Sequence, residues 1–510
     1  MTQQETDAGA LEIERVPTLV PGIDAILRGG FLSGGLYLIQ GPPGIGKTIL
    51  ANQIIYNRAK RGSRALFVTV LGENHGRMML HLRTMQFFDQ SLMPDRVKYI
   101  SAYQAFDDEG LNGLSNLLRR EIMAHQATLL VVDDMSAVQA RATATFETKR
   151  FTHELQTLAS LTNCTMFLLT TASDDAQGVE RTMVDGVIQL SQRAYGSRIE
   201  RRFVVRKLRG SDYLQGEHAF AISRQGVAVF PRIEAVFRMA EIPELFSSSR
   251  LSFGIASLDR MFNGGIPVAS MTAVMGASGA GKTTLALHFL SESSASEPGL
   301  LFGAYEPAAR LRFKAGLMGF DLAAAEQRGE VEILWYPVGE HILDELAHTL
   351  LDAVRRRKVK RLVIDGMSVF QEAAVEPARI VRFWSTLSNE LRALGVTTLY
   401  TVELQELAGP DFRPPVSGIA SLGDVMILLR YVEVRARLYR MMSLLKVREG
   451  AFDTTIREFA ISETGIGVGG PFEAMTPPPT GTAHEVIPDP VAGSQDRRRE
   501  SRADDADRPG

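Results

Sequence analysis

Apolar residues in this chain gather in short unbroken runs, separated by stretches in which they recur at helical spacing. The runs at 36–39, 65–70, 129–133 and 165–171 read as strands, and so do 271–275, 300–305, 361–365 and 397–402. Helical patterns lie near 109–125 and 341–357, and an amphipathic helix is expected after each of the runs 36–39 and 271–275. Strands alternating with helices imply an α/β protein with a mostly parallel sheet covered by helices on both faces. Each element of the first half has a counterpart offset by about 235 residues, a spacing of duplicated domains rather than of a short-period solenoid. The duplication includes the segments ahead of the first run, PGIDAIL with Gly29-Gly30 and FGIASLD with Gly264-Gly265. The expected organisation is an N-terminal tail 1–14, a first domain 15–235, a linker 236–250 containing Ser247-Ser248-Ser249, and a second domain 251–470. The remainder, 471–510, carries Pro477-Pro478-Pro479 and Arg497-Arg498-Arg499 and few apolar residues, so it is expected to be disordered.

Composition narrows the class. With 510 residues the chain exceeds what one core usually serves, which agrees with two domains. Hydrophobic residues make up 45% and charged ones 23%, the balance of a globular protein. The net charge of −3 gives no reason to expect a nucleic-acid or membrane binder. No apolar stretch approaches the roughly 18 residues a membrane-spanning helix needs. The N-terminus is polar and acidic without a basic start or apolar core, so the cytoplasm is expected. Cys164, the single cysteine, falls inside an apolar run and reads as a buried strand residue.

The chemistry sits where the runs 36–39 and 271–275 end. GPPGIGKT (Gly41, Pro42, Pro43, Gly44, Ile45, Gly46, Lys47, Thr48) follows the first, and GASGAGKT (Gly276, Ala277, Ser278, Gly279, Ala280, Gly281, Lys282, Thr283) with Thr284 follows the second. Both fit G-x-x-x-x-G-K-[ST] between a strand and a helix. Glycines let successive N–H groups turn toward phosphate oxygens, and the helix N-terminus adds positive potential. Lys47 and Lys282 would reach the β- and γ-phosphates, while Thr48 and Thr283 would hold Mg²⁺. A merely structural glycine turn leaves both lysines unexplained.

Asp133 and Asp365 each end an apolar strand. There a carboxylate either orders Mg²⁺ or caps the next turn, and its pairing with a phosphate loop in both halves favours the metal. Asp134 has Gly366 as its counterpart and receives no assignment. Glu73 and Glu306 come one strand after the loop helix, placed either to take a proton from attacking water or to stand as solvated carboxylates. Lys207 with Arg209, and Lys446 with Arg448, recur as K-x-R too far along the chain to serve their own loop. They could stabilise γ-phosphate charge in a neighbouring subunit, or form an exposed pair on one strand face.

These residues, together with Lys207-Leu208-Arg209-Gly210, the run ILLRYVE at 427–433, and IREF at 456–459 with Ile461-Ser462, resemble the KaiC family. Its members are two-domain RecA-type ATPases of the cyanobacterial clock and their bacterial and archaeal relatives. The resemblance spans nearly all of 15–470. It implies two tandem RecA-like P-loop NTPase domains, ATP and Mg²⁺ as cofactors, and a homohexamer with ATP at subunit interfaces. It also implies slow hydrolysis, contact of the K-x-R cations with the adjacent protomer's ATP, and a KaiB-like regulator as partner. In some members it implies self-phosphorylation of the second domain. The chain departs from the family pattern of two adjacent glutamates, having Gly72-Glu73 and Tyr305-Glu306-Pro307. The family's Ser-Thr phosphorylation pair falls on Ala420 and Ser421, leaving Ser421 either as a single autophosphorylation acceptor or as an ordinary loop serine. A nucleotide-gated scaffold with little turnover is the alternative. A DNA motor is disfavoured because the loops at 173–178 and 405–410, where such motors grip a strand, are acidic or neutral.

Overall fold

A computed structural model describes residues 14–70, 75–136, 138, 145–171, 182–237, 249–337, 339–404, 422–434, 436–448, 450–462 and 465–471. Glu73, Ala420, Ser421, the loops 173–178 and 405–410, most of the linker and most of both tails lie outside the described residues. Two nine-stranded sheets carry the fold. The first runs, edge to edge, through Gly226–Phe230, His218–Ser223, Arg198–Leu208, Gly186–Tyr195, Leu36–Gln40, Thr165–Thr170, Leu129–Asp133, Ala65–Thr69 and Val97–Ser101. The second, counted from the opposite edge, has the same order, with Met271–Gly276 in the place of Leu36–Gln40.

In each sheet six neighbouring strands are parallel, and the last three continue as an antiparallel extension. The apolar runs explain the parallel part. In Leu36–Gln40 the side chains alternate between faces, with Tyr37 and Ile39 packing into one buried cluster and Leu36 and Leu38 into another. Met271–Gly276 repeats this, with Met271, Ala273 and Met275 in one cluster and Val274 in the other. Unbroken hydrophobicity is what a strand covered on both faces requires. Cys164 is fully buried, and burial pushes its thiol up to about 12, so it is a packing residue.

Two helices differ in detail from the sequence reading. The first helical pattern begins earlier, as Tyr103–His125, and breaks at Gly110 (φ 60°, ψ −140°). The helix after the first phosphate loop, Lys47–Ala59, is buried on most of its circumference rather than one-sided. The antiparallel extension lies against it, and Gln53 pins the contact. Its Nε2 donates to the Val227 carbonyl at 3.1 Å, and its Oε1 accepts from the Val227 N–H at 2.7 Å.

The chain leaves the first sheet by docking on the second domain. Ile233, in the short helix Ile233–Val236, belongs to a core cluster of the second domain. Arg379 reaches Glu234 at 2.6 Å and Asp344 at 2.6 Å, and Asp344 is fully buried in the helix Leu343–Arg357. Asp344 also accepts from the Ile233 N–H at 3.2 Å. A second contact comes from the hairpin of Gly186–Tyr195 and Arg198–Leu208. At its tip Arg198 donates to the carbonyls of His341 (2.7 Å) and Glu372 (3.1 Å), and the Tyr195 hydroxyl donates to Glu376 (3.0 Å).

His218 sits beside this junction, fully buried. Its Nδ1 accepts from the Arg232 N–H at 3.0 Å, so Nε2 carries the proton that is given to the Leu214 carbonyl at 3.1 Å. Burial holds its pKa below the ordinary 6.5, as it does for His288 and His125. The unfolded chain then binds more protons than the folded one below pH 6.5, so stability is flat above that value and falls as pH drops through it. Melting followed by circular dichroism at pH 7.5 and 5.5 should show a lower Tm at the acid value, with a smaller drop in His218→Gln. An equal or higher Tm at pH 5.5 would contradict the assignment.

Candidate functional site: two phosphate loops and their strand-end carboxylates

Each phosphate loop leaves the carboxyl end of a central strand and enters a helix, Lys47–Ala59 or Lys282–Ser291. This is where open α/β sheets present ligand sites. The helices start from glycines in the left-handed region, Gly46 at φ 114° and Gly281 at φ 108°. A Cβ at Gly46 would come within 2.5 Å of Ile222 Cδ1, and one at Gly281 within 2.7 Å of Ile461 and Phe459. Both the backbone turn and the close packing of the antiparallel extension therefore require glycine there. Lys47 Nζ donates to the carbonyls of Gly41 (2.7 Å) and Pro42 (3.1 Å), and Lys282 Nζ to those of Gly276 and Ala277 (both 2.8 Å). Burial lowers the pKa of both ammonium groups. Asp133 and Asp134 oppose this for Lys47, and Glu403 and Asp365 for Lys282. The two ammonium groups are thus folded across the mouths of their loops, within a turn of the exposed helix N–H groups.

The strand-end aspartates meet the loop threonines identically in both halves. Thr48 Oγ1 donates to Asp133 Oδ2 at 3.0 Å, and Thr283 Oγ1 donates to Asp365 Oδ2 at 3.0 Å. Burial raises the Asp365 pKa, while hydrogen bonds from Thr401 (2.8 Å) and Thr283 pull it back. A hydroxyl and a carboxylate side by side at a helix N-terminus are a hard-oxygen donor pair. Such a pair suits Mg²⁺, which takes one or two protein oxygens and completes its shell with water and phosphate. Among the described residues no cluster of three or more His, Cys, Asp or Glu side chains forms a metal cage.

Glu306 follows the strand Gly299–Gly303 and forms an ion pair with Lys314 of the helix Ala308–Leu317 through Oε1. Its Oε2 is buried without a hydrogen-bond partner. It is close enough to Asp365 for its charge to push that carboxyl's pKa up. Tyr305, the residue before it, donates to Glu372 (3.1 Å) and shares a hydrogen bond with Ser368 (2.6 Å). Its ring lies over Gly366, where a Cβ would come within 2.6 Å of it. Together with a φ of 99°, this explains why the residue after Asp365 is glycine. Lys314, Thr401 and Glu403 were missed in the sequence. The pairing of Lys314 is an eight-residue return across a strand–helix turn, and nothing local marks it.

The K-x-R pairs lie at the other end of the sheet. Lys207 is opposite Val187, which pairs with Leu38 in the middle of the central strand, and its ammonium turns toward carbonyls that precede the strand Gly186–Tyr195, away from the loop. Lys446 is placed in the same way through Met426 and Ala273. Lys207 donates to the carbonyls of Thr182 (2.9 Å) and Val184 (2.7 Å), and Arg209 to those of Thr182 (2.8 Å) and Met183 (3.3 Å). In the second half Lys446 donates to the Gly423 carbonyl (2.6 Å), and Arg448 to Asp424 Oδ1 (3.3 Å). A cation at the amino end of a sheet is a strand length away from its own loop.

A family profile for the KaiC ATPase matches residues 16–234 and again 251–472. The circadian clock oscillator protein KaiC of Picosynechococcus sp. is 28% identical over 481 residues, covering 91% of both chains. The KaiC protein of Rippkaea orientalis is 27% identical, covering 91% of this chain and 90% of its own length. That of Prochlorococcus marinus is 26% identical over 95% of this chain and 99% of its own.

Proposed function

Because the chain belongs to the KaiC family of ATPases, we propose that it binds ATP with Mg²⁺ in both halves, hydrolyses it slowly, and assembles into a ring of six copies with nucleotide at the boundaries between copies. Signalling or timing is the process this reading assigns, after the clock role in its relatives' names. The observation that carries the reading is the repeated pairing of a loop hydroxyl with a strand-end carboxylate, each at 3.0 Å beside a loop lysine. Domains at 15–235 and 251–470 would each form one such site.

In this mechanism the amides at the helix starts and the ammonium groups of Lys47 and Lys282 orient the phosphate chain. Thr48 with Asp133, and Thr283 with Asp365, would hold Mg²⁺, which supplies charge neutralisation on the phosphate oxygens. Glu306 takes the proton of attacking water at Oε2, the oxygen without a partner, while Lys314 holds Oε1. Glu73 has the corresponding role in the first half. Lys207, Arg209, Lys446 and Arg448 lie a strand length from their own loops, which suits them to a γ-phosphate bound by the next copy. Ser421 is the candidate acceptor for self-phosphorylation, and a regulator like KaiB is the partner class the family suggests.

A specific observation favours a second reading. Glu306, the candidate base of the second site, is held in an ion pair with Lys314, which ties it down away from a water, so this half could hold ATP as a structural clamp with little turnover. Phosphate release by wild type, Glu73→Gln and Glu73→Gln/Glu306→Gln distinguishes the two. The enzyme reading expects the last change to lower the residual rate by about 10²-fold or more. Turnover in wild type that is already abolished by Glu73→Gln, with nucleotide still bound in the second half, selects the clamp. Incubation with γ-labelled ATP and mass-spectrometric mapping of Ser421 tests self-phosphorylation in the same samples.

A further inference from the structure

The amino ends of the strands in the first half form a cavity whose wall differs in charge from the corresponding positions of the duplicated half. It measures about 460 Å³, within the range of ordinary small-molecule sites, and lies at the opposite end of the sheet from the phosphate loop. Arg58, Arg61, Arg64 and Arg96 line it, with Glu14 as the only acidic residue in its wall among the described residues. Among the described residues none of the four forms an ion pair. Arg64 donates to the Gln126 side chain (2.9 Å), Arg96 donates to the Gly62 carbonyl (2.7 Å), and Arg58 Nε is buried with no partner.

The second half serves as an internal control, because backbone hydrogen bonds align the two. The Ala65 N–H donates to the Arg96 carbonyl at 2.8 Å, as the Gly299 N–H does to that of Glu330 at 2.7 Å. The Thr128 N–H donates to the Arg64 carbonyl, as the Lys360 N–H does to that of Pro298. Arg96 thus stands where the second half has Glu330, and Ser63-Arg64 stands where it has Glu297-Pro298. In the second half both glutamates are paired, Glu330 with Arg328 at 2.7 Å and Glu297 with Arg361 at 3.1 Å. The fold therefore does not need a cationic cluster here. The first half has Arg96 where the second has Glu330, and Ser63-Arg64 where the second has Glu297-Pro298, so its guanidiniums stand here with no carboxylate ion-paired to them among the described residues.

We propose that this cavity is a second anion site, distinct from the P-loops, which binds a condensed phosphate: inorganic pyrophosphate or triphosphate, or the phosphate chain of a free nucleotide. Guanidinium is the group for this ligand, since its planar fork donates paired hydrogen bonds to adjacent phosphate oxygens. Four guanidiniums against one carboxylate leave an excess of positive charge that one such anion neutralises. The half-buried Arg58 and Arg64 form the floor, and the exposed Arg61 and Arg96 the rim.

The test removes the P-loops from the measurement. Triphosphate is titrated by calorimetry into full-length Lys47→Ala/Lys282→Ala without nucleotide, and into the same protein carrying Arg61→Ala and Arg96→Ala. Both arginines are rim residues, so circular dichroism should be unchanged. The expected result is one site per chain, weakened roughly tenfold or more by the arginine substitutions and by raised salt. ADP binding as tightly as pyrophosphate identifies the phosphate chain as the recognised part, and ADP binding tenfold tighter identifies a nucleotide as the ligand. No heat at millimolar triphosphate, or heat that survives loss of the arginines, overturns the proposal. So does a result in which Arg61→Ala/Arg96→Ala in the otherwise wild-type chain disrupts self-assembly and leaves triphosphate binding unchanged, because the cavity would then be a contact between copies.

Discussion

Lys47→Ala together with Lys282→Ala should abolish ATP binding and, with it, nucleotide-dependent assembly, while leaving the fold intact. Lys47 is buried and Lys282 half-buried, and each ammonium donates to carbonyls of its own loop, so it is poised over the place where the phosphates would lie. Removing a buried charged donor from a charged partner weakens binding by about 2–5 kcal/mol, or roughly 30- to 4,000-fold per site. No other element depends on either lysine. The loop glycines and the Thr–Asp pairs stay in place, so far-UV circular dichroism should not change and Tm should move by a few degrees at most. Titration with a fluorescent ATP analogue gives affinity, and mass photometry with and without nucleotide gives assembly. Single variants separate the halves. If only Lys47→Ala prevents assembly, the first half holds the ring together; if only Lys282→Ala does, the second half does. Unchanged nucleotide affinity in the double variant would remove the site assignment altogether.

The parts of this site that could be read in the sequence are those in which a few consecutive residues carry the chemistry. Gly41–Thr48 and its repeat are visible because glycine spacing, lysine and threonine are all local. Asp133 and Asp365 are visible because an unbroken apolar strand has to end somewhere, and an acid marks that end. Duplication made each reading firmer, since a chance match does not recur in register with its whole surroundings. What stayed hidden depends on contacts across the fold. The Glu306–Lys314 ion pair joins a strand end to a helix face, and the Tyr305 ring over Gly366 joins the ends of two neighbouring strands. The early start of the helix Tyr103–His125 was missed because its first turns are polar and acidic, and the break at Gly110 interrupts the period. The arginine cavity was invisible for another reason. Arg58, Arg61, Arg64 and Arg96 look like ordinary surface charges until the sheet brings two strand starts and a helix end together, and until the second half shows Glu330 in the place of Arg96 and Pro298 in that of Arg64.

Arg379→Ala should destabilise the protein more than any other single truncation outside the two cores. Its guanidinium donates to Glu234 through Nε (2.8 Å) and Nη2 (2.6 Å), and to Asp344 through Nη1 (2.9 Å) and Nη2 (2.6 Å). Asp344 is fully buried, and its remaining partner is the Ile233 N–H. Deleting the arginine would leave Asp344 in the interior with no cation, and Glu234 half-buried with only Arg232 at 3.9 Å beside it. Breaking a buried pair in this way costs about 3–5 kcal/mol, far more than an exposed pair. For a domain of this size that corresponds to a fall in Tm of roughly 6–20 °C. The loss should fall on the junction, because Glu234 closes the first domain while Arg379 and Asp344 belong to the second. Calorimetry should therefore show one transition splitting into two, and a protease should gain access near residue 235. Arg379→Met combined with Asp344→Leu and Glu234→Gln provides the control. It removes the charges along with their partner, so most of the lost stability should return. A single variant as stable as wild type would mean that the two domains are held together by the hairpin tip at Tyr195 and Arg198 and by the apolar seat of Ile233, with the charge network contributing nothing net.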